Sequence, residues 1–247
     1  MKNVLQVIGC YAPNFAFKPV SMYKIFLGKK IVYLDIGYGN GFKIDVNNLE
    51  NTIIVISHNH IDHAAGLLEF AVSLRLKGVK LKKRIPVYIP DNTFAIRLSR
   101  IYPKQSKYFD FTYINESTEV NISNYKITFC KTIHKGESYD IKIKKDVESF
   151  VYTSDLSRVT KELIEFCKGT NLVIIEGGRP IEKPCLKNYH ASTEHLIKNI
   201  TKSKAGKILI SHLKISGENA KAYDKYCKKN KIEIIKLKKK YCLFKGW

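Results

Sequence analysis

Three histidines and an aspartate fall within six positions, in Ser57-His58-Asn59-His60-Ile61-Asp62-His63. Their surroundings constrain the fold more than any other feature of the chain. Thr52–Ser57, just before them, is a short apolar and β-branched run of the kind buried on both faces of a sheet. Just after them, Ala64 to Leu76 sets Leu67, Leu68, Ala71 and Leu74 at helical spacing. The pattern predicts a buried strand, a tight turn crowded with imidazoles, and a helix. In an extended segment residues two apart point the same way, so His58 and His60 can hold one cation together. The turn then brings Asp62 and His63 round toward a second position nearby. Imidazole with carboxylate is a donor set suited to Zn²⁺, and one that also accepts Mn²⁺ or Fe.

The rest of the chain supplies the frame. Val4–Ile8 and Lys30–Ile36 read as strands, and Leu34-Asp35-Ile36-Gly37-Tyr38-Gly39-Asn40-Gly41 ends in a glycine-rich turn. Ile85–Ile89, Tyr125–Thr132, Ser138–Ile143, Ser149–Thr153, Leu172–Ile175, Lys207–Ser211 and Ile232–Leu237 are strand-like. Thr160–Lys168, Thr193–Thr201 and Glu218–Lys229 read as helices. Strands come in two batches, each followed by helices, with no low-complexity linker between them. The expectation is one α/β domain over residues 1–247, built from two similar halves that meet near residues 120–125.

Composition excludes several classes. Hydrophobic residues make up 45% and charged residues 26%, which is the balance of a globular core rather than a disordered or collagen-like chain. No apolar run approaches the roughly 20 residues needed to cross a bilayer, and the opening residues read as a first strand, not a secretory signal. The six cysteines show no CxxC spacing and are read as reduced thiols in a cytoplasmic protein.

Lys+Arg outnumber Asp+Glu by 43 to 22, a net charge of +21. Such a surface attracts polyanions. Yet only six of the 43 are arginine, the residue suited to bidentate phosphate recognition, so drift toward lysine explains the count equally well. Lysine runs stand at Lys80, Lys82, Lys83 and Arg84, at Lys142, Lys144 and Lys145, and at Lys236, Lys238, Lys239 and Lys240. Each reads either as a solvated face or as an RNA-binding strip. Tyr102, Tyr108 and Phe109 are aromatics for base stacking or for the core.

His58-Asn59-His60-Ile61-Asp62-His63 resembles the HxHxDH signature of the metallo-β-lactamase superfamily, and further residues agree in order along the chain. Leu34-Asp35-Ile36-Gly37 resembles that family's early strand–turn motif, whose aspartate supports the metal loop; a simple turn former is the other reading of Asp35. His134 after Phe129–Ile133, Asp155 after Tyr152-Thr153-Ser154, and His212 after Ile208–Ser211 match its later motifs. The resemblance implies a four-layer αββα sandwich with a dinuclear site. In it His58, His60 and His134 hold one metal, Asp62, His63 and His212 the other, and Asp155 bridges them. Two neighbouring dications repel, and a bridging carboxylate with a bridging hydroxide offsets that repulsion.

Asn188-Tyr189-His190-Ala191-Ser192-Thr193-Glu194-His195 is similar to a motif of ribonuclease Z-like phosphodiesterases. By that resemblance His190 works on the scissile phosphate or the leaving oxygen, and Glu176 orients it. Asp62, His190 and Glu176 are the expected catalytic residues. Helix capping is the other reading of His190; Ser192 or Thr193 caps the helix, and His195 lies on the surface.

Ribonuclease Z itself carries a long tRNA-gripping arm between the third histidine motif and the bridging aspartate. Here only 20 residues lie between His134 and Asp155, room for a hairpin. The chain therefore resembles the arm-less branch. The expected activity is hydrolysis of a phosphodiester, in RNA or a nucleotide, by a hydroxide bridging two zinc ions. The alternatives are tRNA 3′-processing, a thioester or lactone hydrolase of the same fold, or a silent nucleic-acid-binding protein. A homodimer is the assembly common among such relatives.

Overall fold

Runs of Ile, Val, Leu and Tyr that alternate little, such as Thr52–Val55 and Leu172–Glu176, are strands buried on both faces. The computed structural model describes residues 4–13, 18–177, 190–212, 225–235 and 239–243. Its strands are β1 (Val4–Gly9), β2 (Met22–Leu27), β3 (Lys30–Leu34), β4 (Thr52–Val55), β5 (Ile85–Ile89), β6 (Phe109–Tyr113), β7 (Glu119–Ile122), β8 (Tyr125–Lys131), β9 (Tyr139–Lys145), β10 (Glu148–Tyr152), β11 (Leu172–Glu176), β12 (Lys207–Ser211), β13 (Glu233–Ile234) and β14 (Lys240–Cys242). They form two mixed sheets, ordered β14-β1-β2-β3-β4-β5-β6 and β13-β12-β11-β10-β9-β8-β7. Both sheets change from antiparallel to parallel pairing after their fourth strand, at β3–β4 in one and β10–β11 in the other.

Three apolar cores hold the layers together. The inner faces of both sheets meet in one that includes Leu5, Val55, Ile127, Ile141, Phe150 and Leu209. Helices α1 (Ile61–Ala64), α2 (Gly66–Leu76), α3 (Thr93–Ile101) and α4 (Pro103–Ser106) follow β4 and β5. Leu67, Phe70 and Leu74 of α2 and Leu98 of α3 pack on the outer face of the first sheet. Helices α5 (Lys161–Phe166) and α6 (Thr193–Ile200) bury Leu163, Leu196 and Ile200 on the outer face of the second. The result is a four-layer α/β/β/α stack, in which each fully buried Leu or Phe contributes roughly 1.5–3 kcal/mol.

Two differences from the sequence reading concern boundaries. The helix expected from Ala64 is split into α1 and α2 at Ala65. There the Gly66 N–H donates to Ile36 O at 2.8 Å, and a Cβ on Gly66 would stand 2.5 Å from Ile36 Cγ2. The close packing of the Asp35–Gly37 turn against this point breaks the helix. At the other end of the chain, the run read as Ile232–Leu237 forms a two-residue strand, β13, within its described part. Residues 225–229 are helical, and the remainder of the helix read as Glu218–Lys229 lies outside the described residues. Among the described residues no helix is long and apolar enough to cross a membrane.

Strands β4, β10, β11 and β12, with β8 parallel to β10, end along one rim of the molecule. Their carboxyl ends carry His58, Asp155, Glu176, His212 and His134 respectively, the edge where α/β sheets gather their ligand-binding residues.

Candidate metal centre

Beyond β4 the chain bends at Ser57, His58 bridges to Ser138 just ahead of β9, and His60 is extended, at φ −68° and ψ 153°. Only then does the chain turn into α1, which carries Asp62 and His63. The His58 and His60 rings lie 4.5 Å apart between centroids. One nitrogen of each, one of His134 and an oxygen of Asp155 lie within 4.8 Å of one another. A second group on the same scale joins Asp62, His63, Asp155 and His212, and a third joins Asp155, Glu176, His190 and His212. The seven residues expected as ligands thus lie together in two groups that share Asp155, and the third group joins Asp155 and His212 to Glu176 and His190.

Asp155 lies at the hub. Its Oδ2 stands 3.8 Å from His58 Nε2, 3.4 Å from His212 Nε2, 4.0 Å from His134 Nε2 and 3.9 Å from His190 Nδ1, and its Oδ1 is 3.5 Å from His63 Nε2. Asp62 Oδ2 faces His63 Nε2 at 3.5 Å and His212 Nε2 at 3.7 Å. These separations are too long for hydrogen bonds, yet His58, His63 and His212 are 1–3% exposed. Their Nε2 atoms are buried without a hydrogen-bond partner. Three orphaned imidazole nitrogens converging on a carboxylate fit divalent cations, and the nitrogen-and-oxygen donor set is one that zinc accepts.

The other nitrogen of each ring is fixed. Asp35, fully buried at the end of β3, receives four hydrogen bonds. Its Oδ1 accepts Ser57 N–H at 2.7 Å; its Oδ2 accepts the Ser57 hydroxyl at 2.9 Å, His63 Nδ1–H at 2.7 Å and the Tyr152 hydroxyl at 2.6 Å. This sets His63 with Nε2 toward Asp62 and Asp155. His58 Nδ1 lies 3.2 Å from Ser57 Oγ and 3.1 Å from Ser154 Oγ, and His212 Nδ1 lies 3.3 Å from Ser21 Oγ. Asp35 and His212 both have positive φ, 54° and 53°. Such backbone costs roughly 1–2 kcal/mol outside glycine, and two of the six non-glycine residues that adopt it among the described residues lie at this rim. Gly37 permits a close approach of the turn to the metal loop: a Cβ there would fall 2.1 Å from the Asp62 carbonyl oxygen.

Electrostatics match the geometry. Burial pushes His58 well below the usual imidazole range and His212 down to about 4, and it lowers His60 as well. All three are neutral at pH 7, with a lone pair to give. Burial also opposes a charge on His63, but the carboxylates of Asp155, Asp62 and Asp35 outweigh it and hold its pKa well up. Burial disfavours charge on Asp155 and Asp62 too, and the surrounding imidazoles overcome that and keep both carboxyls low. Burial, then the Asp155 charge, raises Glu176 to about 7.

Glu176 Oε2 accepts His190 Nδ1–H at 2.7 Å, the pairing expected from sequence, and the His190 side chain is 16% exposed. Ser192 caps α6 by accepting the His195 N–H, and His195 is exposed, both as expected. Asn188, Tyr189 and Gly178 of the quoted motifs lie outside the described residues, as do Cys185, Lys236 and Lys238. The other five cysteines are free thiols. Phe109 is core, Tyr108 packs against that core and Tyr102 is partly exposed. Lys80, Lys82, Lys83 and Arg84 are exposed, whereas Lys142 covers the Phe166 ring at 4.6 Å. Sequence reasoning did not single out Ser21, Ser57, Tyr152 or Ser154. Ser57 and Ser154 stand next to His58 and Asp155, a signal that was there to use.

Residues 47–213, more than half of the chain, match the β-lactamase superfamily domain family. The probable metallo-hydrolase YhfI of Bacillus subtilis (strain 168) is 25% identical over 219 residues, covering 84% of this chain and 85% of that protein. Its crystal structure, described as a metallo-β-lactamase fold protein, superposes with a TM-score of 0.79 at 21% identity over 98% of this chain and 99% of that one. A diphosphatase of the PhnP family gives 0.74 at 17% identity, over 98% of this chain and 100% of that one. The short form of human tRNase Z gives 0.71 at 14%, over 97% and 99%. The sequence match and the four-layer architecture agree: this chain belongs to the β-lactamase superfamily and has the metallo-β-lactamase fold.

Proposed function

We propose that this protein is a hydrolase of phosphodiesters that works with two divalent metal ions, zinc by the chemistry of its donors. His58, His60 and His134 would hold one ion and Asp62, His63 and His212 the other, with Asp155 shared. Bound there, the ions supply Lewis acidity toward phosphoryl oxygens and lower the pKa of a water. The observation that carries the phosphodiester reading is the Glu176–His190 pair at 2.7 Å beside the shared aspartate. Held by Glu176 through Nδ1–H, His190 would carry a proton to a leaving oxygen or hold a phosphoryl oxygen. The +21 charge favours an anionic substrate such as RNA or a nucleotide. Among solved structures of similar fold are a diphosphatase and a tRNase Z, which supports the same substrate class. The free thiols are in keeping with a reducing compartment, the cytoplasm.

Between His134 and Asp155 the chain forms the β9–β10 hairpin, paired from Ile141–Tyr152 to Lys145–Glu148. A tRNA-gripping arm has no place there, which weighs against tRNA 3′-processing. The test is a paired assay on zinc-loaded protein. Bis(p-nitrophenyl) phosphate, cyclic nucleotides and precursor tRNA are set against a thioester and a lactone. The expected result is turnover of one of the first two. Thioester or lactone turnover without phosphodiester turnover rejects the reading.

A further inference from the structure

The loop that carries Asp155 is tied down on both sides of it. Thr153 N–H donates to Ile174 O and Ser157 N–H to Ile133 O, each at 2.8 Å. Between these ties, two buried carboxylates take the peptide N–H groups that flank Asp155. Asp140 Oδ1 accepts from Ser154 at 3.0 Å, and Glu176 Oε1 accepts from Leu156 at 2.7 Å. They come from β9 and β11, the strands on either side of β10. Glu176 also engages His190, whereas nothing above gives Asp140 a task.

Ser154 extends the connection. Its Oγ is 3.1 Å from His58 Nδ1 and 3.1 Å from Ser138 Oγ. His58 presents Nε2 as a lone pair only when Nδ1 carries the proton, and the Ser154 hydroxyl is placed to accept it. Through this one residue Asp140 reaches both groups of donors: His58 through the Ser154 side chain, and Asp155 through the Ser154 backbone.

Asp140 occupies a costly place for a carboxyl. It is fully buried, and because Tyr139 and Ile141 enter the core between the sheets, it points to the opposite face of β9. Its Oδ2 is buried without a hydrogen-bond partner. Burial, with Glu176 nearby, holds its pKa well above the usual carboxyl range, and an asparagine amide matches the carboxyl in shape and keeps the oxygen that accepts from Ser154 N–H. A buried polar group on these terms calls for a role that an apolar residue could not fill.

We propose that Asp140 is a positioning residue for the metal centre. It holds the Ser154–Asp155 peptide so that Asp155 faces both donor groups and His58 keeps Nε2 toward them. This rests on reading those groups as metal ligands, so the test reads metal binding and not turnover. Zinc affinity is measured by calorimetry, together with circular dichroism of the metal-free proteins. Asp140→Ala should bind zinc about 10–100-fold more weakly, the range for a lost partner of a ligand, while Asp140→Asn, which keeps the acceptor, stays within about threefold of native. Native affinity in Asp140→Ala, or an equal loss in Asp140→Asn, overturns the proposal. Should Asp140→Ala fail to fold, Asp140→Asn and Ser154→Ala decide. A native-like Asn variant with weakened zinc binding in Ser154→Ala supports it; a weakened Asn variant or a native-like Ser154→Ala overturns it. A native protein that takes up no metal removes the underlying reading and this inference with it, whereas the variant results remove the inference alone.

Discussion

Replacing Asp35 by asparagine isolates the hydrogen bonds that hold the histidine loop. Asparagine tolerates the positive φ of 54° at this position, so the backbone is not the cause of any loss. The carboxylate accepts from Ser57 N–H, Ser57 Oγ, His63 Nδ1 and Tyr152 Oη, at 2.6–2.9 Å. An amide keeps one oxygen and turns the other into a donor. If the oxygen takes the Oδ2 position, Ser57 N–H faces an NH₂ group; if it takes the Oδ1 position, three donors do. The amide takes the first orientation, and one stranded buried donor costs about 1–3 kcal/mol, so Asp35→Asn should lose roughly 1–3 kcal/mol. Urea unfolding of metal-stripped protein measures this. The variant should also lose about 10–100-fold in zinc affinity, because His63 no longer has a carboxylate fixing its tautomer. A loss below about 1 kcal/mol with native zinc affinity would refute the assignment of Asp35 as the anchor of the loop.

Three more outcomes follow from the same geometry. His190→Ala should leave metal content intact and slow phosphodiester hydrolysis by roughly 10²–10⁴-fold; an unchanged rate takes His190 out of the reaction. The Glu176 carboxyl is raised to about 7, so its stabilising contribution is complete below its unfolded value of 4.5 and is lost as pH rises through 7. In metal-free protein Glu176→Gln should therefore gain on the native chain by up to about 3 kcal/mol across that window, and a pH-independent difference in denaturation would contradict this. Gly37→Ala pushes a Cβ against the Asp62 carbonyl and should destabilise by about 1–3 kcal/mol or more in thermal unfolding; full tolerance would mean that the turn packs otherwise.

The donors were legible in the sequence because most sit in local patterns. Histidines two apart in an extended segment share a direction, and a single histidine or aspartate after an apolar strand marks a strand end at the rim. The supporting contacts were not legible, because they join distant positions. Tyr152 reaches Asp35 across 117 residues and Ser21 reaches His212 across 191. Neither hydroxyl is distinguishable by type or spacing from any other. The left-handed backbone at Asp35 and His212 is likewise invisible, since both residue types are ordinary in strands and turns. Among the elements, β7 (Glu119–Ile122) was not singled out because it is short and half-exposed, and α3 because its buried face carries little beyond Ala95 and Leu98.

The number of cations that the rim of the two sheets retains tests the shared site most directly. Elemental analysis of the native chain after zinc loading and exhaustive dialysis should find two zinc ions per chain, and Asp155→Ala should retain fewer. A native protein that emerges without zinc, or an Asp155→Ala variant that still holds two, would contradict the shared site.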